Sequence, residues 1–164
     1  MTPFDDVLAA NADYAAAFEF TGRPGQAARG LAVVTCMDSR IDPLSMLGLE
    51  KGDAKILRNA GGRVTDDVLR TLVLATHLLA VDRVMVVEHT DCKMASATDD
   101  QVHEAIFESS GIDTRSMEFR TMDDQLASIA QDVQRIRSSA YLKKGTETAG
   151  FLYDVKTGRL QQVV

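Results

Sequence analysis

Residues 31–35, Leu-Ala-Val-Val-Thr, form a short apolar run with β-branched side chains, and Cys36 follows directly. A run of this length and composition is typical of a strand that is buried on both faces of a sheet. Residues 54–57 repeat the pattern more weakly, and residues 83–87 are the most hydrophobic of the three runs. The first half of the chain therefore predicts three buried strands.

Helical patterns separate and flank these runs. Between the second and third strands, Thr65 can cap a helix whose apolar stripe comprises Val68, Leu72, Ala75 and Leu79. Further amphipathic patterns cover residues 4–18, 99–109 and 123–137, the last with the stripe Leu126, Ile129, Ala130, Val133 and Ile136. A strand, a crossover helix and a second buried strand indicate a parallel α/β sheet.

The chain ends with two strand-like segments, 151–155 and 160–164, separated by Lys-Thr-Gly-Arg, which predicts a hairpin. The predicted fold class is therefore α/β: a mostly parallel central sheet of four strands plus an antiparallel C-terminal edge strand, flanked by helices. We expect one domain over residues 1–164, with residues 1–22 as an N-terminal helical arm.

Composition excludes several classes of function. With 164 residues, 45% hydrophobic and 26% charged, the chain is typical of a globular domain, and its net charge of −6 argues against nucleic-acid binding. No apolar run is long enough to span a membrane, and the first residues lack the basic region of a secretory signal. We expect a cytoplasmic protein, in which the two cysteines stay reduced.

Three potential metal ligands stand at predicted strand ends. Cys36 follows the first strand, and His89 follows the third, with Cys92 three residues later. The carboxyl ends of parallel strands are where α/β folds bind ligands, and a His-x-x-Cys spacing suits one helical turn. Two thiolates and an imidazole are zinc ligands, and a three-ligand set leaves a fourth position open for catalysis. Alternatively, the cysteines are small core residues and the histidine a hydrogen-bonded one.

Charged and small residues surround these candidates. If the chain stays extended after Cys36, Asp38 and Arg40 point to the same side as the thiol, although most such pairs are only exposed ion pairs. Gly61 and Gly62 close the second strand, where glycine allows a close approach of backbone to a ligand; a plain strand-to-helix turn would explain them equally well.

These residues resemble a known motif set. Cys36-Met37-Asp38-Ser39-Arg40 is similar to the Cys-x-Asp-x-Arg motif of β-class carbonic anhydrases, and His89-Thr90-Asp91-Cys92 to their His-x-x-Cys motif. Arg58-Asn59-Ala60-Gly61 resembles the loop between the two. Order and spacing agree over residues 31–94, and the chain length resembles the compact bacterial members.

The resemblance implies one Zn²⁺ per chain on Cys36, His89 and Cys92, and reversible hydration of CO2 to bicarbonate by attack of a zinc-bound hydroxide. It also implies that Asp38 is the fourth ligand in a closed state, or is held away from the metal by Arg40. Backbone at Ala60, Gly61 and Gly62 would line the substrate pocket. The family forms dimers or larger homo-oligomers, so we expect a dimer or tetramer, in which the N-terminal arm contacts a partner subunit.

Two other functions stay open at this stage. Relatives of this fold hydrolyse carbon disulfide or carbonyl sulfide with the same ligands, and a non-catalytic zinc protein could have Asp38 closing the site. One departure from the family also stands out: Lys93 occupies the position after the second cysteine, where glycine is usual. A long cationic side chain there could crowd the pocket, attract bicarbonate or reach solvent.

Overall fold

A five-stranded sheet forms the centre of the computed structural model, which describes residues 2–20 and 22–164. The strands follow one another across the sheet in the order β2-β1-β3-β4-β5. Their bounds are β1 Leu31–Cys36, β2 Ala54–Asn59, β3 Arg83–His89, β4 Glu147–Tyr153 and β5 Leu160–Gln162. The first four are parallel, and β5 pairs antiparallel with β4. The predicted fold class is confirmed.

Residues 2–20 and 22–164 also contain five α-helices: α1 Asp5–Ala16, α2 Pro43–Met46, α3 Asp66–Leu78, α4 Asp99–Ser110 and α5 Gln125–Arg137. Thr65 caps α3 as predicted, because its side chain accepts a hydrogen bond from the Val68 amide. Leu79 lies one residue beyond the helix end. Apolar side chains of α3 and α5 pack on the sheet as one core, formed by Val34, Val84, Val86, Val68, Leu72, Ala75, Ile129, Val133 and Ile136.

The apolar stripe predicted for α5 is partly wrong. Leu126 is 53% exposed and Ala130 is also exposed, whereas Ser128 and Asp132 are buried. Asp132 turns inward because its carboxylate pairs with the guanidinium of Arg63, with 2.8 Å between Oδ2 and Nε. The buried face of α5 therefore includes an ion-paired aspartate, which a purely apolar pattern does not predict.

Strand β4 begins four residues earlier than the sequence predicts, at Glu147. The early part of the strand contains Ala149 and Gly150, which are poor strand formers. The helix above requires small residues at this point, since a Cβ added to Gly150 would lie 2.2 Å from the Ile129 side chain. Because α5 packs so closely on the sheet, the first part of β4 needs small residues, and these lack the composition from which a strand is predicted.

The N-terminal arm lies on the surface. Helix α1 begins and ends within the predicted 4–18, and every one of its residues in the described chain is exposed. The Tyr14 hydroxyl accepts a hydrogen bond of 3.0 Å from Lys51 Nζ. Met1 and Thr21, which the predicted arm 1–22 includes, lie outside the described residues. Within residues 2–20 and 22–164, no helix has the length and apolar character that crossing a membrane requires.

Candidate metal centre

The structure brings the three predicted ligands together at the carboxyl edge of the sheet. Cys36 is the last residue of β1, and His89 is the last residue of the neighbouring β3. The potential ligand atoms of Cys36, His89 and Cys92 all lie within 4.8 Å of one another, and all three residues are buried. Neither cysteine forms a disulfide within the described chain. The strand order therefore creates a compact S₂N donor set.

The segment between His89 and Cys92 is not the helical turn that the spacing predicts. Thr90 and Asp91 form a tight turn, and Asp91 has a φ of 57°, in the left-handed region that aspartate tolerates better than most residues. The Thr90 amide donates to the Tyr153 carbonyl over 2.9 Å, which ties this turn to the end of β4. This turn places Cys92 beside Cys36 and starts the 3-10 helix Lys93–Ala95.

One nitrogen of His89 is available to a metal. Its Nδ1 lies 2.8 Å from the Thr90 carbonyl oxygen. Because a carbonyl can only accept, Nδ1 carries the proton, and the lone pair of the neutral ring is on Nε2. That Nε2 is buried without a hydrogen-bond partner among residues 2–20 and 22–164. An orphaned buried nitrogen that faces two thiols is the arrangement expected of a metal ligand.

Backbone amides stabilise negative charge on both sulfurs. Hydrogen bonding from the Cys92 thiol lowers the pKa of Cys36 against the opposing effect of burial, and His89 and the amides of Asp38 and Gly61 lower it further. The same contact with Cys36, together with burial, raises the pKa of Cys92, which the amides of Met94 and Ala95 oppose. The two sulfurs thus share one proton readily, and a cation that displaced it would meet two thiolates.

The charge on His89 responds to its neighbours. Burial lowers the pKa of His89, but the nearby Cys36 sulfur, the Thr90 carbonyl and the Asp38 carboxylate outweigh burial and raise it. Metal binding requires the neutral ring, so an ion at this site displaces protons from the whole donor set.

Asp38 and Arg40 form a bidentate ion pair beside this donor set. Arg40 Nε donates to Asp38 Oδ1 over 3.0 Å, and Nη2 donates to Oδ2 over 2.7 Å. The Asp38 carboxylate is only 3.8 Å from His89 Nε2. The Arg40 guanidinium holds the pKa of Asp38 far below its usual range and has its own pKa raised in return.

The prediction assumed that the chain stays extended after Cys36, but the structure shows that it does not. The Ile41 amide donates to the Asp38 carbonyl over 3.1 Å, and the Arg40 amide donates to Asp38 Oδ1 over 2.9 Å. A turn, rather than strand alternation, therefore brings Asp38 and Arg40 together next to the thiol.

Two further residues of this site were not predicted as functional. Arg58 Nε donates to the Cys36 carbonyl over 3.0 Å, and Nη2 donates to the Asp38 carbonyl over 2.6 Å. Asp91 accepts a hydrogen bond of 2.7 Å from Arg40 Nη1, which lowers the pKa of Asp91. Both residues lie inside the quoted motifs, so the motifs contained the signal although the spacing gave no reason to select them.

The loop of Ala60, Gly61 and Gly62 packs below the donor set. Gly62 has a φ of 70°, and a Cβ there would lie 2.9 Å from the Val87 carbonyl oxygen and 3.0 Å from the Cys36 amide nitrogen. The glycine is therefore needed for close contact with β1 and β3. Ala60 lines a cavity of about 500 Å³, while Gly61 and Gly62 are buried.

The donor set fits zinc. Two sulfurs and one imidazole nitrogen match the preference of Zn²⁺ for soft and borderline ligands, and three protein ligands leave one tetrahedral position free. The amides around the sulfurs and the Thr90 carbonyl on Nδ1 supply the outer interactions that fix such ligands.

Comparison with known proteins gives a consistent result. The family model described as carbonic anhydrase matches residues 31–160. The chain is 40% identical to β-carbonic anhydrase 1 of Mycobacterium tuberculosis over 99% of both chains. A carbonic anhydrase structure from Streptococcus mutans superposes with a TM-score of 0.92 at 36% identity, covering 100% of this chain and 99% of that one.

A more distant similarity connects the chain to a related activity. The apo form of a carbon disulfide hydrolase superposes with a TM-score of 0.76 at 29% identity, covering 98% of this chain and 89% of that one. Identity and TM-score are both lower than for the carbonic anhydrases above. With the family model spanning β1 to β4 and the donor set, and 40% identity over 99% of a curated relative, the chain belongs to the β-carbonic anhydrase family.

Proposed function

We propose that this chain catalyses the reversible hydration of CO2 to bicarbonate, with one zinc ion held by Cys36, His89 and Cys92. The observation that carries the proposal is the unpartnered, buried Nε2 of His89 facing two thiols in the part of the chain that the structure describes. The relatives named carbonic anhydrase support it, because the similarity covers the whole chain.

Zinc, when bound, supplies a Lewis acid that lowers the pKa of a coordinated water toward neutrality. The protein contributes orientation and charge balance. Thr90 fixes the His89 tautomer, so the neutral ring presents the lone pair of Nε2 to the metal. As thiolates, the two sulfurs would offset the charge of the cation, and four backbone amides favour their ionised form.

Asp38 acts on the nucleophile. Both of its oxygens already accept from Arg40, yet each carboxylate oxygen has a second lone pair. Asp38 can thus accept a hydrogen bond from a water next to His89 and orient that water toward CO2. Arg40 holds the carboxylate in this position. When Arg40 releases it, Asp38 is close enough to become a fourth ligand, which would close the site.

The substrate pocket would lie next to Cys36. Ala60, which is partly exposed, and the buried backbone of Gly61 and Gly62 would form a small apolar wall there, which suits a small nonpolar molecule such as CO2. Lys93 is exposed, so its charge is available to attract bicarbonate at the rim without crowding the donor set.

Stopped-flow CO2 hydration on the zinc-loaded protein tests the activity. We expect turnover that is lost in Cys92→Ala, which removes a ligand, and strongly reduced in Asp38→Ala. Absence of turnover in the wild type, with one zinc per chain present, would contradict the proposal. If Asp38→Ala only loosened zinc, with no wild-type activity to lose, the site would be a closed, non-catalytic one.

Carbon disulfide hydrolysis is the second candidate, supported by the similarity at 29% identity. Its weaker match makes CO2 the preferred substrate. Parallel assays settle the choice: hydrogen sulfide release from carbon disulfide that exceeded CO2 hydration in kcat/KM would reverse it.

We also propose that the chain works as a homodimer or a larger homo-oligomer in the cytoplasm. Helix α1 exposes Val7, Leu8 and Tyr14, and Phe4 and Phe18 next to it are also exposed, an apolar surface that a second subunit could cover. Two unpaired cysteines at a metal site are typical of a reducing compartment such as the cytoplasm. Sedimentation velocity tests the assembly: a monomer at micromolar concentration would contradict it, and removal of residues 1–22 should weaken an existing dimer.

A further inference from the structure

The Arg40 guanidinium is held by two carboxylates, not one. In addition to the bidentate contact with Asp38, Nη1 donates to Asp91 Oδ2 over 2.7 Å and Nη2 donates to the Asp91 carbonyl over 3.1 Å. The side-chain bonds to the two aspartates use different nitrogens: Nε and Nη2 for Asp38, and Nη1 for Asp91. The two carboxylates therefore do not compete for the same N–H group.

The backbone at Asp91 is fixed in place. It lies in the turn between His89 and Cys92 with a φ of 57°. Thr90, its neighbour, is bonded through its amide to the Tyr153 carbonyl and through its hydroxyl, 3.2 Å away, to the Val155 amide. The side chains of Arg40 and Asp91 are 46% and 64% exposed, so it is the backbone of this turn that keeps the Asp91 carboxylate beside Arg40 and gives Arg40 a second anchor.

We propose that Asp91 is a positioning residue: it anchors Arg40, so that Arg40 can hold Asp38 away from the metal. This inference rests on the proposed function, since it assumes that Asp38 has access to a fourth coordination position. Asp91 would thus set the ratio between a site that is open to substrate and a site that Asp38 closes.

The effect of losing the Asp91 charge on the rate of zinc release distinguishes this positioning role from a purely structural one. Without the Asp91 charge, Arg40 leaves Asp38 more often, and Asp38 joins the three protein ligands. A site with four protein ligands releases zinc more slowly than one with three. Simple loosening of the turn between two ligands would instead speed up zinc release.

The test is the rate of zinc release from the full-length, zinc-loaded protein to an excess of the chelator 4-(2-pyridylazo)resorcinol. Asp91→Asn is the appropriate variant, because asparagine keeps the shape and tolerates the left-handed backbone. We expect release about two- to fivefold slower than in the wild type, the scale of a partly exposed ion pair. In the Asp38→Asn background, the same substitution should have no effect.

Asp113→Asn is the matched control. Like Asp91, Asp113 pairs with an arginine, here Arg115 at 3.3 Å, and both side chains of this pair are exposed. It lies outside the metal site, so its substitution should leave zinc release unchanged. A crystal structure of zinc-loaded Asp91→Asn should show the Asp38 carboxylate closer to the metal than in the wild type.

Faster or unchanged zinc release in Asp91→Asn would overturn the inference, as would slower release that persisted in the Asp38→Asn background. Arg40→Gln separates this failure from that of the proposed function. If Arg40→Gln slows release but Asp91→Asn does not, the switch exists and only the role of Asp91 is wrong. Lack of CO2 hydration in the wild type leaves the release assay valid and counts against the activity alone.

Discussion

Arg40 binds Asp38 through two parallel hydrogen bonds, from Nε to Oδ1 over 3.0 Å and from Nη2 to Oδ2 over 2.7 Å. The same carboxylate lies 3.8 Å from His89 Nε2. A planar guanidinium matches a carboxylate in this way, and a single ammonium cannot. The strongest contact of Asp38 therefore directs it away from a position where it could ligate the metal.

Replacing Arg40 should lower activity without removing the metal. In Arg40→Gln, Asp38 loses its charged partner and is free to occupy the fourth position. We expect kcat for CO2 hydration to fall about tenfold or more, as for loss of a bidentate charged contact, while zinc content stays at one per chain. Arg40→Lys should recover little, because lysine offers no fork. Full activity in Arg40→Gln would refute this assignment.

Removal of zinc should destabilise the fold. The empty donor set leaves two thiols and His89 Nε2 buried, with the thiols sharing a proton. Free zinc at about a thousandfold its Kd stabilises a protein by about 4 kcal/mol, if the unfolded chain does not bind it. We expect the Tm to fall on dialysis against a chelator and to recover when zinc is added. Cys92→Ala should show no such recovery.

The sequence was sufficient for the sheet and for the donor set, because both depend on local patterns. Apolar runs marked β1 to β3, and the residues that end β1 and β3 had to meet once those strands were neighbours. The start of β4 could not be predicted from the sequence. Gly150 is a poor strand former, and it stands in this strand because the Ile129 side chain leaves no room for a Cβ.

The local path of the chain around the donor set could not be predicted from the sequence either. Spacing alone suggested an extended chain through Arg40 and a helical turn before Cys92, and both segments are turns. Turn geometry depends on hydrogen bonds from distant residues, such as the Tyr153 carbonyl that binds Thr90. The identity of the ligands could be predicted, but not the contacts of Asp91 and Arg58.

The ion pair of Arg63 and Asp132 should dominate the stability of the region behind the site. Their side chains are only 11% and 5% exposed, and Asp132 also accepts from the Val64 amide over 3.0 Å. Asp132→Ala leaves a buried guanidinium without its partner, so we expect a loss of about 3–5 kcal/mol in the free energy of unfolding.

Urea denaturation checks this value. The exposed pair of Asp67 and Arg70, with side chains 75% and 76% exposed, provides the control. Asp67→Ala should cost less than about 1 kcal/mol. The double variant Arg63→Met/Asp132→Leu should recover most of the loss, because no charge remains buried. A loss for Asp132→Ala as small as the control would show that the pair contributes little.

Gly62→Ala should damage both the fold and the metal site. The added methyl would meet backbone atoms of Val87 and Cys36 at 2.9 and 3.0 Å, and these cannot move without displacing β1 or β3. We expect a loss of about 2–3 kcal/mol in stability together with weaker zinc binding. Gly158→Ala separates the two effects: it has the same φ of 70° but its nearest atom is 4.0 Å away. It should cost only about 1 kcal/mol and leave zinc affinity intact.

Asp99 should make the stability of the protein depend on acid pH. Its carboxylate accepts from the amides of Phe119 and Thr121 over 2.8 and 2.9 Å, and from the Thr121 hydroxyl over 2.7 Å. Burial raises the pKa of Asp99, but these bonds outweigh it and lower the pKa to about 2 from the usual 3.8. The folded state thus binds fewer protons than the unfolded state between these values.

The stabilisation is therefore complete above about pH 4 and is lost as the pH falls through 2. Asp99→Asn should cost about 1–2 kcal/mol at pH 7, the scale of hydrogen bonds to a charged group, and less with each step toward pH 2. Asp100→Asn is the control, since Asp100 lies exposed in the same first turn of α4. Both aspartates lie outside the donor set, so both variants should release zinc at the same acid pH, and the difference between their urea midpoints then isolates Asp99. If the difference between the two urea midpoints stayed constant from pH 7 to pH 2.5, the negative charge of Asp99 would not be the source of the stabilisation.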